Sequence, residues 1–139
     1  MKVFKLLKGS KILNKKGNLF KYFNKNSLPK NWKFGEIYIS QIGKNVIKGW
    51  HWHKYQTSTL IVVSGNIKVI LIQNEKFKSF IISKKNLKAI IIKPKTWYAF
   101  QGLEKENNLL NLSDKVHTPS YSKKKDINYF PYNWKKYKN

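Results

Sequence analysis

The chain has no cysteine and no arginine among its 139 residues, and only six acidic side chains. Without cysteine there is no disulfide framework, no thiolate metal site and no thiol nucleophile. Long apolar runs are missing too. Ile90-Ile91-Ile92 is bounded by lysines and falls far short of a membrane span, so no membrane partner is expected. The opening residues, Met1-Lys2-Val3-Phe4-Lys5-Leu6-Leu7-Lys8, interleave charge with apolar side chains. They lack the continuous apolar core of a signal peptide, so a cytoplasmic location is expected. Helical periodicity is absent as well: no window longer than eight residues repeats its apolar side chains at a helical spacing.

What the chain has in excess is lysine. All 29 basic residues are lysines, and the net charge is +23. Such a charge points first to nucleic acid or an anionic surface. Three features count against nucleic acid. Arginine, which makes the commonest specific base contacts and the bidentate phosphate contacts, is missing. The lysines are scattered, with Lys123-Lys124-Lys125 the longest run. Asn, Ile, Phe and Tyr are also abundant, and they share A/T-rich codons with Lys, so base composition accounts for much of the charge. A nucleic-acid partner is therefore not expected.

Short apolar or aromatic runs separated by turn residues cover most of the chain. Strands are predicted at Lys2–Leu7, Leu19–Phe23, Glu36–Ser40, Phe77–Ser83, Leu87–Ile92, Trp97–Phe100 and Leu109–Leu112. Between them lie turns such as Lys16-Gly17-Asn18, Gly43-Lys44-Asn45, Asn74-Glu75-Lys76 and Lys84-Lys85-Asn86. At the centre, Thr59–Ser64 and Asn66–Ile72 flank Gly65 and read as a hairpin with one interior face. Gly65 and Gly102 read as turn residues needing an unusual φ. The length fits one domain spanning 1–139 with an irregular tail from 113 to 139. Many short strands at regular spacing predict an all-β sandwich or barrel whose interior holds side chains or one small ligand.

Just before the central pair lies Lys48-Gly49-Trp50-His51-Trp52-His53. It holds two of the three histidines, and their spacing places both on one face of a strand. Trp50 and Trp52 then fall on the opposite face and are assigned to packing.

Several segments in this order resemble a known family. They are Ile47-Lys48-Gly49-Trp50-His51, the Val63-Ser64-Gly65 turn, the Pro94 segment running into Trp97-Tyr98-Ala99-Phe100-Gln101-Gly102-Leu103, Asn108-Leu109-Leu110-Asn111-Leu112, His117-Thr118-Pro119 and Pro131-Tyr132-Asn133-Trp134. Together they resemble the dTDP-4-dehydrorhamnose 3,5-epimerases, a metal-independent branch of the cupins, over roughly residues 16–134. The resemblance looks closest to a short, divergent subgroup. It implies a single-domain, cupin-type jelly-roll β-barrel, usually dimeric, working without a cofactor in a nucleotide-sugar pathway such as polysaccharide biosynthesis.

Two departures from the family pattern stand out. Lys48 replaces an arginine, so phosphate would meet a point charge and not a bidentate fork. The family's catalytic tyrosine would fall near His117, and its downstream Tyr-x-Pro-x-x-Glu pattern is not kept. The segment that supplies the carboxylate partner of the catalytic histidine is not matched either, so the full dyad does not carry over. A metal-binding cupin would need a glutamate near Thr57 or Ser58 and a further histidine near Tyr98 or Ala99. His51 and His53 alone hold a metal poorly, so none is expected.

The reaction the resemblance implies is epimerisation or keto-isomerisation of a nucleotide-linked 4-keto-6-deoxy sugar. The ketone acidifies hydrogens on the neighbouring carbons, and histidine titrates near neutral pH, so His51 is the candidate base. His117 or Tyr98 would return a proton. Lys48 and Lys68 are candidates for the diphosphate, and His53 and Asn111 for other substrate contacts. Leu60 and Val62 would exclude water. A sugar- or nucleotide-binding cupin without catalysis is the alternative, and a basic nucleic-acid binder the second.

Overall fold

The computed structural model describes residues 2–134. Met1 and the last part of the expected tail, 135–139, lie outside the described residues. The strands are β1 (Phe4–Lys8), β2 (Ser10–Ile12), β3 (Leu19–Lys21), β4 (Glu36–Gly43), β5 (Ile47–His53), β6 (Ser58–Ser64), β7 (Asn66–Gln73), β8 (Lys76–Ser83), β9 (Lys88–Ile92), β10 (Tyr98–Gly102), β11 (Glu106–Ser113) and β12 (Ser122–Lys124). Two short 3₁₀ turns, Lys25–Ser27 and Pro119–Tyr121, complete the described secondary structure. The expected all-β class is borne out. Among the described residues no helix is long and apolar enough to cross a membrane.

Two five-stranded antiparallel sheets face each other, one in the order β1-β9-β6-β11-β4 and the other β12-β5-β10-β7-β8. Their inner faces share one core, in which Leu60 and Val62 of β6, Ile90 and Ile92 of β9 and Leu109 of β11 meet Ile67, Val69 and Leu71 of β7. Fully burying each such side chain contributes about 1.5–3 kcal/mol. The second sheet is covered on its outer side as well. There Trp50, Ile70 and Ala99 pack under Trp134, with Phe130, Tyr132, Phe77 and Trp97 around them. β7 is therefore buried on both faces, which explains its nearly unbroken apolar sequence.

The central pair is not a hairpin. β6 belongs to the first sheet and β7 to the second, so the chain changes sheets at Gly65. Gly65 has φ +85°, and a side chain there would meet the Glu106 carbonyl oxygen at 2.4 Å. The Ser-Gly-Asn signal specified a sharp corner, but a corner does not dictate that its flanks pair. Gly102 is a correction of another kind. It lies inside β10, where its value is close approach: a Cβ would come within 2.4 Å of the Gly43 carbonyl oxygen.

Asn107 holds this corner together. Its Oδ1 accepts from the backbone N–H groups of Asn66 (3.0 Å) and Glu104 (3.1 Å). Its Nδ2 donates to the carbonyls of Ile42 (2.9 Å) and Glu104 (2.8 Å).

The tail also departs from expectation. β12 continues the second sheet by pairing with β5, with Ser122 opposite His53 and Lys124 opposite His51. A Ser-Lys-Lys strand has no apolar alternation to announce it. Its place comes from backbone pairing along the free edge of β5.

Candidate active site

β5 is the strand on which the site is built. Trp50, fully buried on the outer face, donates its indole N–H to the Ile127 carbonyl at 3.2 Å and fixes the strand's roll. Trp52, on the same side, is half-buried between Trp97 and the Lys123 ammonium, which lies 4.4 Å from its ring centroid. Both tryptophans serve packing, as expected. The opposite face of β5 turns His51 and His53 into a cavity of about 660 Å³ between the sheets.

Strand register assembles the other walls. β10 sets Tyr98 opposite His51, and β11 sets Asn111 opposite Tyr38 of β4. The His51 ring lies 5.7 Å from the Tyr98 ring and 5.8 Å from Phe100, centroid to centroid. Asn111 is buried, and its Nδ2 donates to the Tyr38 hydroxyl at 2.9 Å. Lys48 stands exposed at the rim and Lys124 reaches the same cavity from β12. His117 comes in from the loop after β11. Its backbone N–H donates to Glu36 at 2.8 Å, and its ring meets that of His53 edge-on at 6.2 Å.

His51, His53, His117, Tyr98, Lys48 and Asn111 thus line one cavity. Lys68 does not. It follows Ile67 on β7, whose side chain enters the shared core, so Lys68 projects to the other side of the sheet. There it lies buried, its ammonium 4.7 Å from the Tyr132 ring. Leu60 and Val62 also prove to be core residues. The apolar cavity walls are Ile47, Phe100 and Leu109.

Sequence reasoning missed Glu36, Tyr38 and Ser40, which line the cavity from β4, and Lys124. The signal for the first three was the period of two in Glu36-Ile37-Tyr38-Ile39-Ser40. The polar set faces inward here, against the usual assignment that would send the isoleucines to the core. Lys124 carried no signal distinguishing it from the other lysines.

The electrostatics follow from burial in a basic cavity. The His51 imidazole is pushed down to about 4, first by burial and then by the charges of His53, Lys124, Lys48 and His117. His53 is lowered too, by burial and by His117. Both rings are therefore neutral at pH 7. Burial raises the Tyr98 phenol, so it stays protonated. Tyr38 is also raised, by burial and by the Glu36 charge, and the hydrogen bond from Asn111 only partly opposes this. Among the described residues, no group of three or more His, Asp or Glu side chains is spaced to hold a metal ion.

These shifts carry a stability consequence. Between pH 6.5 and about 4 the unfolded chain binds the His51 proton and the folded chain does not. Stability is therefore full above pH 6.5 and is lost as pH falls through that window, by on the order of 3 kcal/mol for His51. Denaturant titrations across this range should show that loss in the wild type and a shallower slope in His51→Asn. Equal slopes would mean that His51 is not held neutral by the fold.

A family model described as FdtA: WxcM-like, C-terminal matches residues 2–132. The chain belongs to the WxcM-like, C-terminal family. No curated protein sequence matches this WxcM-like chain. Its fold is that of the RmlC-like cupins, shared with several solved structures. It is similar to a dTDP sugar isomerase from Desulfovibrio desulfuricans G20, with 22% identity over 95% of this chain and 90% of that one, at a TM-score of 0.84. It is also similar to dTDP-4-dehydrorhamnose 3,5-epimerase from Bacillus anthracis str. Ames with TDP and PPi bound, at 18% identity, 90% and 79% coverage and a TM-score of 0.79. A third is a histidine-to-asparagine mutant of the 3,4-ketoisomerase QdtA from Thermoanaerobacterium thermosaccharolyticum, in complex with TDP-4-keto-6-deoxyglucose. It is 21% identical over 88% of each chain, with a TM-score of 0.75.

Proposed function

We propose that this WxcM-like chain modifies a dTDP-linked 4-keto-6-deoxy sugar, as an epimerase or keto-isomerase in which His51 removes the proton beside the ketone. The observation that carries this reading is a neutral imidazole facing a sugar-nucleotide-sized cavity, with two lysines at the same cavity. The solved relatives named above, with their TDP and keto-sugar ligands, support the substrate class.

A resting base near pH 4 is weak, and the causes of its weakness say how it is strengthened. Two of them are the charges on Lys124 and Lys48. A diphosphate bound between these ammonium groups neutralises them and so removes part of the depression, while burial, its largest cause, remains. The Ile47, Phe100 and Leu109 walls limit water around the enolate.

The test is incubation of the protein with dTDP-4-keto-6-deoxyglucose in deuterated water. Deuterium entering next to the ketone is the expected result. No incorporation across several keto sugar nucleotides, with saturable binding retained, would replace this reading with a binding-only cupin.

The protein is further proposed to be a homodimer. Ile37 and Ile39 of β4 are 53% and 55% exposed on the outer face of the first sheet. The register sets Leu112 opposite Ile37, and Leu110 between Ile39 and Ile61. This continuous apolar face on an edge strand fits a second copy. Light scattering at micromolar concentration should give twice the chain mass for the wild type and the single mass for Ile39→Lys. A monomeric wild type would remove the proposal.

A further inference from the structure

The lysines are scattered along the chain, but the six acidic residues are not. Residues 1–35 carry ten lysines and no Asp or Glu, and residues 76–103 carry seven lysines and none. An A/T-rich base composition supplies lysine, but it does not clear Asp and Glu from chosen stretches, since it serves their codons too. The fold brings the two stretches together. β1 pairs with β9, setting Lys8 opposite Lys88, and the Gly9 N–H donates to the Leu87 carbonyl at 2.8 Å. Lys11 and Lys84 both stand over the Phe20 ring, 5.5 and 4.5 Å from its centroid. At this edge stands the β2–β3 hairpin, a two-stranded sheet of its own. Phe20 is on the side of Lys84, so Ile12 and Leu19, paired on the other side of the ribbon, face away from it. They are 49% and 54% exposed, and Leu13 beside them is 72% exposed. Lys11, Lys15, Lys16 and Lys21 are exposed around these three apolar side chains.

We propose that this hairpin seats the protein on an anionic lipid bilayer, with its lysines on the headgroup phosphates and Ile12, Leu13 and Leu19 dipping into the interface. Exposed aliphatic side chains ringed by lysine fit that boundary, where acyl chains and negative charge meet within one layer. The lack of a span rules out crossing a bilayer, not lying on one. Nucleic acid would match the lysines only, because bases stack on aromatic rings and the exposed apolar side chains here are aliphatic. A second copy would set the same four lysines against each other. Three side chains also fall far short of the roughly 800 Å² that each partner buries in a stable interface. The hairpin stays free in the proposed dimer, because β1 and β4 are opposite edges of the first sheet. A bilayer on this side leaves the cavity open, since none of its lining residues belongs to β1, β2 or β3. Lipid binding here is independent of the reaction at His51.

The test is flotation of the full chain with vesicles of phosphatidylcholine, alone or with about one-third phosphatidylglycerol. Binding to the anionic vesicles only is expected, weakening as salt rises. Any strongly basic protein adheres to such vesicles, so the variants decide. Lys16→Glu and Lys44→Glu change the net charge equally, but Lys44 lies between β4 and β5, away from the hairpin. The first should weaken binding by about tenfold or more and the second by less than about threefold. Leu13→Ser, which leaves the charge alone, should weaken it roughly tenfold. The chain has no cysteine, so Leu13→Cys takes a single environment-sensitive dye, whose emission should shift to the blue on anionic vesicles. Equal losses in the two charge variants, an unaffected Leu13→Ser or an unshifted dye would reduce the binding to bulk charge and overturn the proposal. Tighter binding to duplex DNA than to vesicles, indifferent to Leu13→Ser, would give the surface to nucleic acid. A dimer that Leu13→Ser dissociates would give it to a second copy, and either result overturns the lipid assignment.

Discussion

Replacing His51 by asparagine is expected to lower turnover of a keto sugar nucleotide by ~10²–10⁴-fold, the usual worth of a positioned base. The substitution keeps a side chain of similar reach on β5 and removes only the group that takes the proton. Lys48, Lys124 and Asn111 are untouched, so nucleotide binding should stay within a few-fold. The fold should hold as well, because asparagine lacks the buried imidazole that resists protonation. Deuterium wash-in must fall in parallel with turnover, since both require the same carbon-bound proton to leave. Wash-in persisting in His51→Asn at the wild-type rate would move the base to another residue, with His117 the first to examine.

Asn107→Ala is expected to be the most damaging change away from the cavity. Asn107 is 1% exposed, and its amide serves four backbone groups at the corner where the chain changes sheets. Alanine leaves those groups without partners where water enters poorly. The loss should be roughly 3–5 kcal/mol, since each unsatisfied buried group costs about 1–3 kcal/mol and part of the corner reaches solvent. For a chain of this length the thermal midpoint should drop by roughly 10–15 °C. A melt within a degree or two of the wild type would show that the corner is held by packing alone.

The β class was legible because runs such as Asn66–Ile72 and Leu87–Ile92 are β-branched and bounded by Gly, Asn and Lys. The heart of the site was legible for a similar reason: the spacing of His51 and His53 fixes one face of a strand whatever its partners. Strand partnership was not legible. β6 and β7 look like a hairpin until the corner at Gly65 sends them to different sheets, because a local turn signal carries no information about distant pairing. The same limit hid Glu36 and Tyr38. Their alternation was visible, but which side faced the interior depended on β11 and on the outer apolar face. Lys68 was misplaced because a charged residue within an apolar strand suggests a site, and here its stem crosses packed aromatic surface under Tyr132.

The pairing pattern also sets the order in which the molecule can be made. Within the two large sheets only β7 and β8 join sequence neighbours. β1 waits for β9, β4 for β11, and β5 for β10 and then for β12, near the end of the described chain. Connectivity of this kind places folding among the slow, non-local cases, on the order of milliseconds to seconds. On the ribosome, the strand bearing both cavity-facing histidines emerges early and stays half-paired until residues 122–124 follow. Its apolar outer face, with Trp50 at the centre, is exposed until then. Lysines spread through every segment give the nascent chain a repulsion that disfavours association during that wait.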